Sequence, residues 1–386
     1  MKRTMLYSPS FIAMSFANLF TVSSFGTFFL FPLFIRARGG SESDIGIIMG
    51  VFSLSAVLCR PWVSDMVDRI GRKRSYTIGC LIMSVLPLTY LLLQGRLSSF
   101  YYAVLVARII HGIGLAICFT ASFTYIADIV PQERLNEGIG MFGLTGLIGL
   151  ALGPVIGEII ILKYGFPFFF VAATLIAILG LLSHLHLPDA YTGKSPETQV
   201  SFFSVLVRRK ILTVAVLAFL FGFGLAATGN FVSPFAKDQG LAFISLYYIC
   251  YSLSAVVTRL LGGRLADRVG EARIIVPAII LTGGGLFIMV FLGGPVILIL
   301  SGLVSGCGHG FLFPCLSSIA LRNEPVSIRG KINGAFTGGI DTGAFIGSFV
   351  LGYIGEWAGF QVLFFAAGLV LFSGLCVHRL SPVDNG

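Results

Sequence analysis

The chain has 386 residues, of which 56% are hydrophobic and only 11% are charged. This balance excludes an ordinary soluble domain, in which about a quarter of the residues are charged. The formal net charge is +9, but Lys and Arg gather in alternate short segments between apolar stretches, so the excess does not indicate nucleic-acid binding. The seven cysteines have no metal-ligand or disulfide spacing. We therefore expect an integral membrane protein with no cofactor, no metal site and no catalytic centre.

Apolar stretches long enough to cross a bilayer recur along the chain. Twelve helices are predicted, near 11–35, 44–63, 75–94, 99–127, 137–161, 165–185, 211–233, 241–263, 273–292, 295–321, 331–355 and 360–380. The longest polar connection, 187–210, is predicted to be a cytoplasmic linker between 1–186 and 211–386. Because the basic residues alternate between loops, both termini are expected in the cytoplasm.

One polar stretch occurs twice. Residues 60–71 read RPWVSDMVDRIG and residues 259–270 read RLLGGRLADRVG, with the shared positions 199 residues apart. This spaced identity indicates a duplicated membrane protein, and we expect each copy to form a tight basic hairpin between two helices. The pattern G-x-x-x-D-R-x-G, followed by basic residues, resembles the loop between helices 2 and 3 of the major facilitator superfamily. The second copy fits it from Gly263 to Gly270, whereas the first has Ser64 in place of the leading glycine.

Helix 4 carries a second resemblance. The run Arg108-Ile109-Ile110-His111-Gly112-Ile113-Gly114-Leu115-Ala116 resembles the superfamily signature R-x-x-Q-G-x-G-x-A, with His111 where Gln is common. An intramembrane arginine is costly and usually faces a wet cavity or a counter-charge. Arg108 is either a charge in or beside the transport path, or a structural arginine bonded to neighbouring backbone.

Helix 5 carries a third resemblance to the superfamily. Gly149, Gly153, Pro154 and Gly157 follow Gly140 with a spacing that resembles the signature of antiporters and exporters in this superfamily. Glycines at intervals of four residues form one bare stripe, which permits close helix approach, and a proline within a helix bends it. Glu158 replaces the last glycine of the signature. It is either a coupling residue or an acid in the outer headgroup region.

Two titratable residues are predicted deeper in the second half. Asp341 lies about 15 Å from the cytoplasmic end of helix 11, and His309 of helix 10 is at a comparable depth. An acid and a histidine on adjacent helices would suit proton exchange. The alternative is a static contact that pins two helices together.

Other polar groups near the midplane are few. Recognition of a sugar usually needs many buried amides and carboxylates, whereas the chain has 36 phenylalanines, so an amphipathic or apolar solute is favoured. The candidate cavity or substrate residues are Asn18, Arg108, His111, Asn230, Tyr247 and Tyr251.

The resemblance implies an all-α membrane protein of 12 transmembrane helices in two pseudo-symmetric six-helix bundles. It implies a secondary active transporter working by alternating access, and we favour a proton-coupled exporter of small amphipathic compounds. The expected location is a bacterial inner membrane and the expected state is a monomer, with protons, a small-molecule substrate and the lipid bilayer as partners. Coupling candidates are Asp341, Glu158 and His309, and the gating loops contribute Asp68, Arg69, Arg72, Asp267 and Arg268.

Three alternatives remain open. The first is an importer of a small metabolite, either a symporter or a facilitator. The second is a receptor-like or scaffold protein that no longer transports. The third and weakest is transition-metal transport through His111, Cys118, Cys307 and His309, which lack a paired ligand motif.

Overall fold

The computed structural model describes residues 7–131, 134–189, 201–322, 324–325 and 328–380, without the side chains of 135–136 and 262–268. Throughout this described part the regular secondary structure is helical. The helices are α1 Pro9–Thr27, α2 Phe31–Ala37, α3 Glu42–Ile70, α4 Arg72–Thr89, α5 Leu97–Ile129, α6 Leu135–Tyr164, α7 Phe166–His184, α8 Phe202–Leu206, α9 Arg209–Asn230, α10 Val232–Asp238, α11 Ser245–Val269, α12 Glu271–Met289, α13 Pro295–Leu321 and α14 Arg329–Leu380. Short 3-10 turns occupy Phe28–Leu30 and Tyr90–Leu92.

Ten helical segments of the described chain are long and apolar enough to cross a membrane. Two predicted helices, 331–355 and 360–380, lie within α14, a 52-residue helix interrupted at Gly359, where φ is +83°. In α11 only Ser245–Leu261 is strongly apolar. The segment Pro9–Ala37 joins α1, the first 3-10 turn and α2 into one candidate span. The protein is therefore an all-helical integral membrane protein.

The contacts divide the chain into two compact units. Unit 1 comprises Met1–Phe34 and Leu58–Ser195, and unit 2 comprises Ile35–Val57 and Pro196–Gly386. The first part of α3 thus belongs to unit 2 and its second part to unit 1. Residues 190–200 of the predicted linker 187–210 lie outside the described part of the chain.

The duplicated stretches are helical rather than looped for most of their length. α3 continues to Ile70 and α11 to Val269, and in each case a single glycine separates the helix from the next one. The helix predicted at 44–63 is therefore longer by two turns. These turns contain the polar residues Asp65, Asp68 and Arg69, which do not form a hairpin loop. Gly71 has φ +101° and Gly270 has φ +92°, and only glycine adopts such a conformation without strain.

A stripe of small residues organises the packing of each unit. In unit 1, α1 packs on α6, where an added Cβ at Gly149 would lie 2.8 Å from the Leu19 carbonyl oxygen. In unit 2, α9 packs on α14, where an added Cβ at Gly347 would lie 2.9 Å from the Phe223 Cα. Both stripes repeat every four residues, as close helix crossings require. The structure thus has two equivalent helix crossings, of which only the first was predicted from the sequence.

Candidate functional site

Arg108 lies in an aromatic cage within unit 1. Its side chain is 1% exposed, and its guanidinium carbon lies 5.6 Å from the centre of the Phe28 ring and 5.4 Å from that of Phe31. Its Nη1 lies 3.5 Å from Nδ1 of His111, whose ring meets Phe28 edge-on at 4.6 Å. Ring faces attract cations, so this Arg108 cage stabilises a buried charge. In this structure both residues belong to the packed interior of the unit.

Unit 2 holds a second arginine on an aromatic surface, and we call its surroundings the Arg259 cluster. It comprises Arg259, Tyr251, His309, Phe313 and Phe221. Tyr251 and His309 share a hydrogen bond between the tyrosine hydroxyl and the histidine Nδ1, and Phe221 meets the His309 ring edge-on at 4.9 Å. The guanidinium carbon of Arg259 lies 5.1 Å from the centre of the Phe313 ring.

From the sequence, Arg259 was assigned no role other than that of first residue of the duplicated motif. The helical extension places it ten residues before the end of α11, about 15 Å along the axis. Its Nε is buried and has no hydrogen-bond acceptor in the structure, although part of the side chain is exposed. The depth of an arginine within a predicted helix is the signal that could have identified it.

Two predicted cavity residues, Asn18 and Asn230, link helices within their own units. Asn18 of α1 donates from Nδ2 to the Thr145 hydroxyl of α6 at 2.9 Å. Asn230 at the end of α9 donates from Nδ2 to the Ser348 hydroxyl of α14 at 2.7 Å. Both amides are almost completely buried. Each therefore reinforces the helix crossing at which the glycine stripe lies.

Tyr247 belongs to the packed interior next to the Arg259 cluster. Its ring is 1% exposed and stacks on Tyr251 at 5.8 Å between ring centres. The neighbouring Tyr248 donates its hydroxyl hydrogen to the Thr228 carbonyl at 3.3 Å. Tyr247, Tyr248 and Tyr251 thus form one aromatic wall in unit 2.

The structure does not bring His309 to Asp341. His309 contacts Tyr251, Phe221 and Phe313, and it interacts electrostatically with Arg259. Asp341 lies twelve residues into α14 and is partly exposed. An added Cβ at Gly338, one turn earlier, would meet no atom within 4 Å. This face of α14 therefore borders open space.

Glu158 lies six residues before the end of α6 and is 6% exposed. Next to it, an added Cβ at Gly157 would lie 3.1 Å from the Phe169 ring and 3.3 Å from Leu30. The carboxyl group thus lies in a closely packed part of unit 1. Arg108 also belongs to unit 1, whereas Asp341 belongs to unit 2.

Arg72 forms an ion-pair network at the first of the two predicted gating loops. Its Nε lies 2.8 Å from Asp128 of α5, and its Nη1 lies 3.3 Å from Asp68 of α3. Arg69 pairs instead with Asp65, one turn back on α3, at 3.0 Å. The side chains of Asp267 and Arg268 lie outside the described residues. The network therefore ties together three helix ends in unit 1.

Another polar network lies at the beginning of α3, within unit 2. Arg36 of α2 is 2.6 Å from Asp238 of α10, and its Nη2 is 3.7 Å from Oε1 of Glu42, the first residue of α3. The Glu356 carboxylate of α14 accepts hydrogen bonds from the Ser41 hydroxyl at 3.0 Å and the Ser43 N–H at 3.2 Å. These contacts attach the entrance of α3 to two other helices of the unit.

Comparisons with known proteins agree with this architecture. The family model described as the Major Facilitator Superfamily matches residues 11–249 and 214–385. The chain is 30% identical to Multidrug resistance protein 2 of Bacillus subtilis over 63% of each chain. It is 23% identical to Multidrug resistance protein MdtG of Salmonella choleraesuis over 95% of this chain and 96% of that protein. The crystal structure of a mutant of the nucleoside transporter NupG superposes with a TM-score of 0.79 at 15% identity, covering 95% of this chain and 99% of that chain.

Proposed function

This chain belongs to the Major Facilitator Superfamily of membrane transporters, and on that premise we propose that it is a proton-coupled exporter of small amphipathic compounds. Transport proceeds by alternating access, with two six-helix bundles around a substrate site. The relatives are transporters rather than enzymes. Two of them are named for multidrug resistance, which supports export.

The observation that carries the direction of transport is the glycine–proline stripe of α6. Gly149 and Gly153 lie against the backbone of α1, and Pro154 lies within the same helix. A proline in a helix removes one backbone hydrogen bond and permits a bend. This spacing resembles that of exporters, and its close packing on α1 supports a role in the shape of the bundle.

Among the coupling candidates we place Asp341 first, Glu158 second and His309 third. Asp341 is partly exposed beside the open space at Gly338, which supports access to its carboxyl group. Glu158 is almost completely buried. His309 already shares a hydrogen bond through Nδ1 with Tyr251, which leaves Nε2 as the ring nitrogen for proton exchange.

The Arg72 network is proposed as a cytoplasmic latch. Asp68 and Asp128 both bind the Arg72 guanidinium, which fixes the corner between α3 and α4 relative to the end of α5. Release of Asp68 would free α3 to move while α4 and α5 stay paired. The equivalent residues Asp267 and Arg268 are proposed to act in the same way in the second repeat.

The contacts at the other end of α3 are proposed as the opposing latch. Arg36 with Asp238, and Ser41 and Ser43 with Glu356, hold the beginning of α3 in unit 2. In the alternate state we expect these contacts to break. The break at Gly359, together with α11, supports a total of twelve spans. We also propose that the protein is a monomer in a bacterial inner membrane, with both termini in the cytoplasm.

A transport assay in proteoliposomes with an imposed pH gradient tests this proposal. We expect at least one member of a panel of small amphipathic compounds, which includes 2-naphthoate and ethidium, to be moved against its concentration gradient only when protons flow in the opposite direction. Accumulation with protons moving in the same direction as the solute would identify a symporter, and equilibration without a gradient would identify a facilitator. Either result would replace the exporter assignment with that of an importer or a uniporter.

A further inference from the structure

We propose that the Arg259 cluster is the binding site for the anionic group of the substrate, and that the substrate is an amphipathic organic monoanion such as an aromatic carboxylate. This inference rests on the proposed transport function and narrows its substrate class. Its basis is a partly exposed arginine, deep within α11, that lacks an acidic partner among the described residues.

The hydrogen bonding of Arg259 supports an anion site. A guanidinium group has five N–H donors, and at Arg259 the Nε is buried with no acceptor. None of the ion pairs among the described residues includes Arg259. An isolated cation at this depth is costly. A bound anion would supply both a counter-charge and an acceptor for Nε, since an arginine can bind a carboxylate through two parallel hydrogen bonds.

Arg108 is the arginine for comparison in the same protein: its Nε also has no acceptor, but Tyr90 interacts with its side chain. It is 1% exposed, lies between two phenyl rings and has His111 next to its Nη1. Arg259 has one ring next to its guanidinium, that of Phe313, and the residue remains partly exposed. The open side is where a ligand can approach.

The neighbours of Arg259 define the rest of the ligand. Tyr251 and His309 share a hydrogen bond close to the arginine. When His309 carries its hydrogen on Nδ1 and donates it to the tyrosine oxygen, the Tyr251 hydroxyl keeps its own hydrogen for an anion. Phe221 and Phe313 supply apolar surface beside it. One arginine with aromatic walls matches one negative charge on an apolar body.

Equilibrium dialysis on the purified protein in detergent tests the site with two probes of nearly equal shape, 2-naphthoate and 2-naphthamide. We expect the carboxylate to bind at least about tenfold more tightly than the amide. Arg259→Gln should remove this preference by weakening naphthoate binding about tenfold or more while changing naphthamide binding less than about twofold. Arg259→Lys should keep part of the preference, since it retains the charge without the planar pair of donors. Arg96→Gln, which removes an exposed charge at the start of α5, should leave both affinities unchanged.

An unchanged preference in Arg259→Gln would overturn the proposal, as would absence of naphthoate binding to the parent protein. A preference of the parent for 2-naphthylmethylammonium would also overturn it. Phe313→Leu provides a second variant with the charge intact, and it should weaken the binding of both probes to a similar extent. Melting curves of all variants identify any that do not fold.

Transport measurements separate this inference from the proposed function. If the parent binds naphthoate through Arg259 but a pH gradient does not drive its movement in proteoliposomes, proton-coupled export fails and the anion site stands. If ethidium is exported and Arg259→Gln changes neither binding nor export of any probe, export stands and the anion site fails.

Discussion

Glu271 and Arg322 form the counterpart, with opposite charges, of the ion pair between Arg72 and Asp128. Arg72 is the first residue of α4 and binds Asp128 near the end of α5. Glu271, 199 residues later in the sequence, is the first residue of α12 and binds Arg322 just after α13. The Ser318 hydroxyl also donates to Glu271 at 2.7 Å. Each repeat thus has an ion pair between the start of one helix and the end of the next, and the acidic and basic residues are exchanged between the repeats.

The Glu271–Arg322 pair should stabilise unit 2 measurably. Glu271 is 7% exposed, and a carboxylate at the first residue of a helix also interacts favourably with the helix dipole. Glu271→Gln should lower the unfolding free energy by about 1–3 kcal/mol. A double-mutant cycle with Arg322→Gln, followed by thermal unfolding in detergent, should give a coupling energy of about 1 kcal/mol. The exchanged variant Glu271→Arg/Arg322→Glu should lie between the parent and the single variants, because it regains the pair and loses about 0.5–1 kcal/mol of dipole interaction. Additive single effects would show that the pair contributes nothing.

Adding one methyl group at Gly153 should destabilise unit 1. The new Cβ of Gly153→Ala would overlap backbone atoms of Gly26 and Thr27, each 2.7 Å away, and overpacking of this kind costs about 1–3 kcal/mol. Gly140→Ala is the matched control, since a Cβ there would meet no atom within 4 Å. Its higher helix propensity should make it neutral or more stable by up to about 1 kcal/mol. Equal melting temperatures for the two variants would contradict the close crossing of α1 and α6.

Asp68→Asn should slow transport without removing substrate binding. The substitution eliminates the charge that pairs with Arg72 at 3.3 Å, and we expect turnover to fall while the substrate Kd stays within about threefold. Asp65→Asn is the control, because Asp65 lies one turn earlier on α3 and pairs with the exposed Arg69. It should keep normal turnover. Loss of equilibrium binding in folded Asp68→Asn would show that the latch assignment is wrong.

Asp341→Asn should separate substrate binding from proton coupling. The amide mimics the protonated acid, so the variant should bind substrate and lose proton-driven accumulation. Substrate-induced proton release, measured with a pH indicator in weakly buffered detergent solution, should disappear in parallel. Glu158→Gln tests the second candidate with the same two measurements. If Asp341→Asn accumulates substrate as well as the parent does, its role is structural and Glu158 becomes the leading candidate.

The sequence predicted the superfamily and the positions of most helices, because apolar length and the duplicated motif are properties of the chain alone. It placed the ends of α3 and α11 too early, since the polar residues after 63 and 263 were read as loop although the helical hydrogen bonds continue to the next glycine. His309 and Asp341 were considered as partners because their predicted depths are similar, but depth along a helix does not determine which neighbour a side chain faces. These helices are apolar nearly all round, so no periodic pattern defines their rotation. Arg259 was not predicted as a site residue for a related reason. It begins a motif that resembles a loop, so its position within a helix was not recognised.

The single-glycine corners also set limits on genetic change. Every missense codon at Gly71 or Gly270 introduces a Cβ at a backbone conformation that other residues occupy at a cost of about 1–3 kcal/mol. At Gly71 the new atom would also lie 2.9 Å from the Asp189 carboxyl carbon. An inserted codon would have to lengthen a turn that consists of one residue. The exposed leucines on the outer faces of the same helices carry no such penalty, so alleles of this gene should vary there and retain glycine at the two corners.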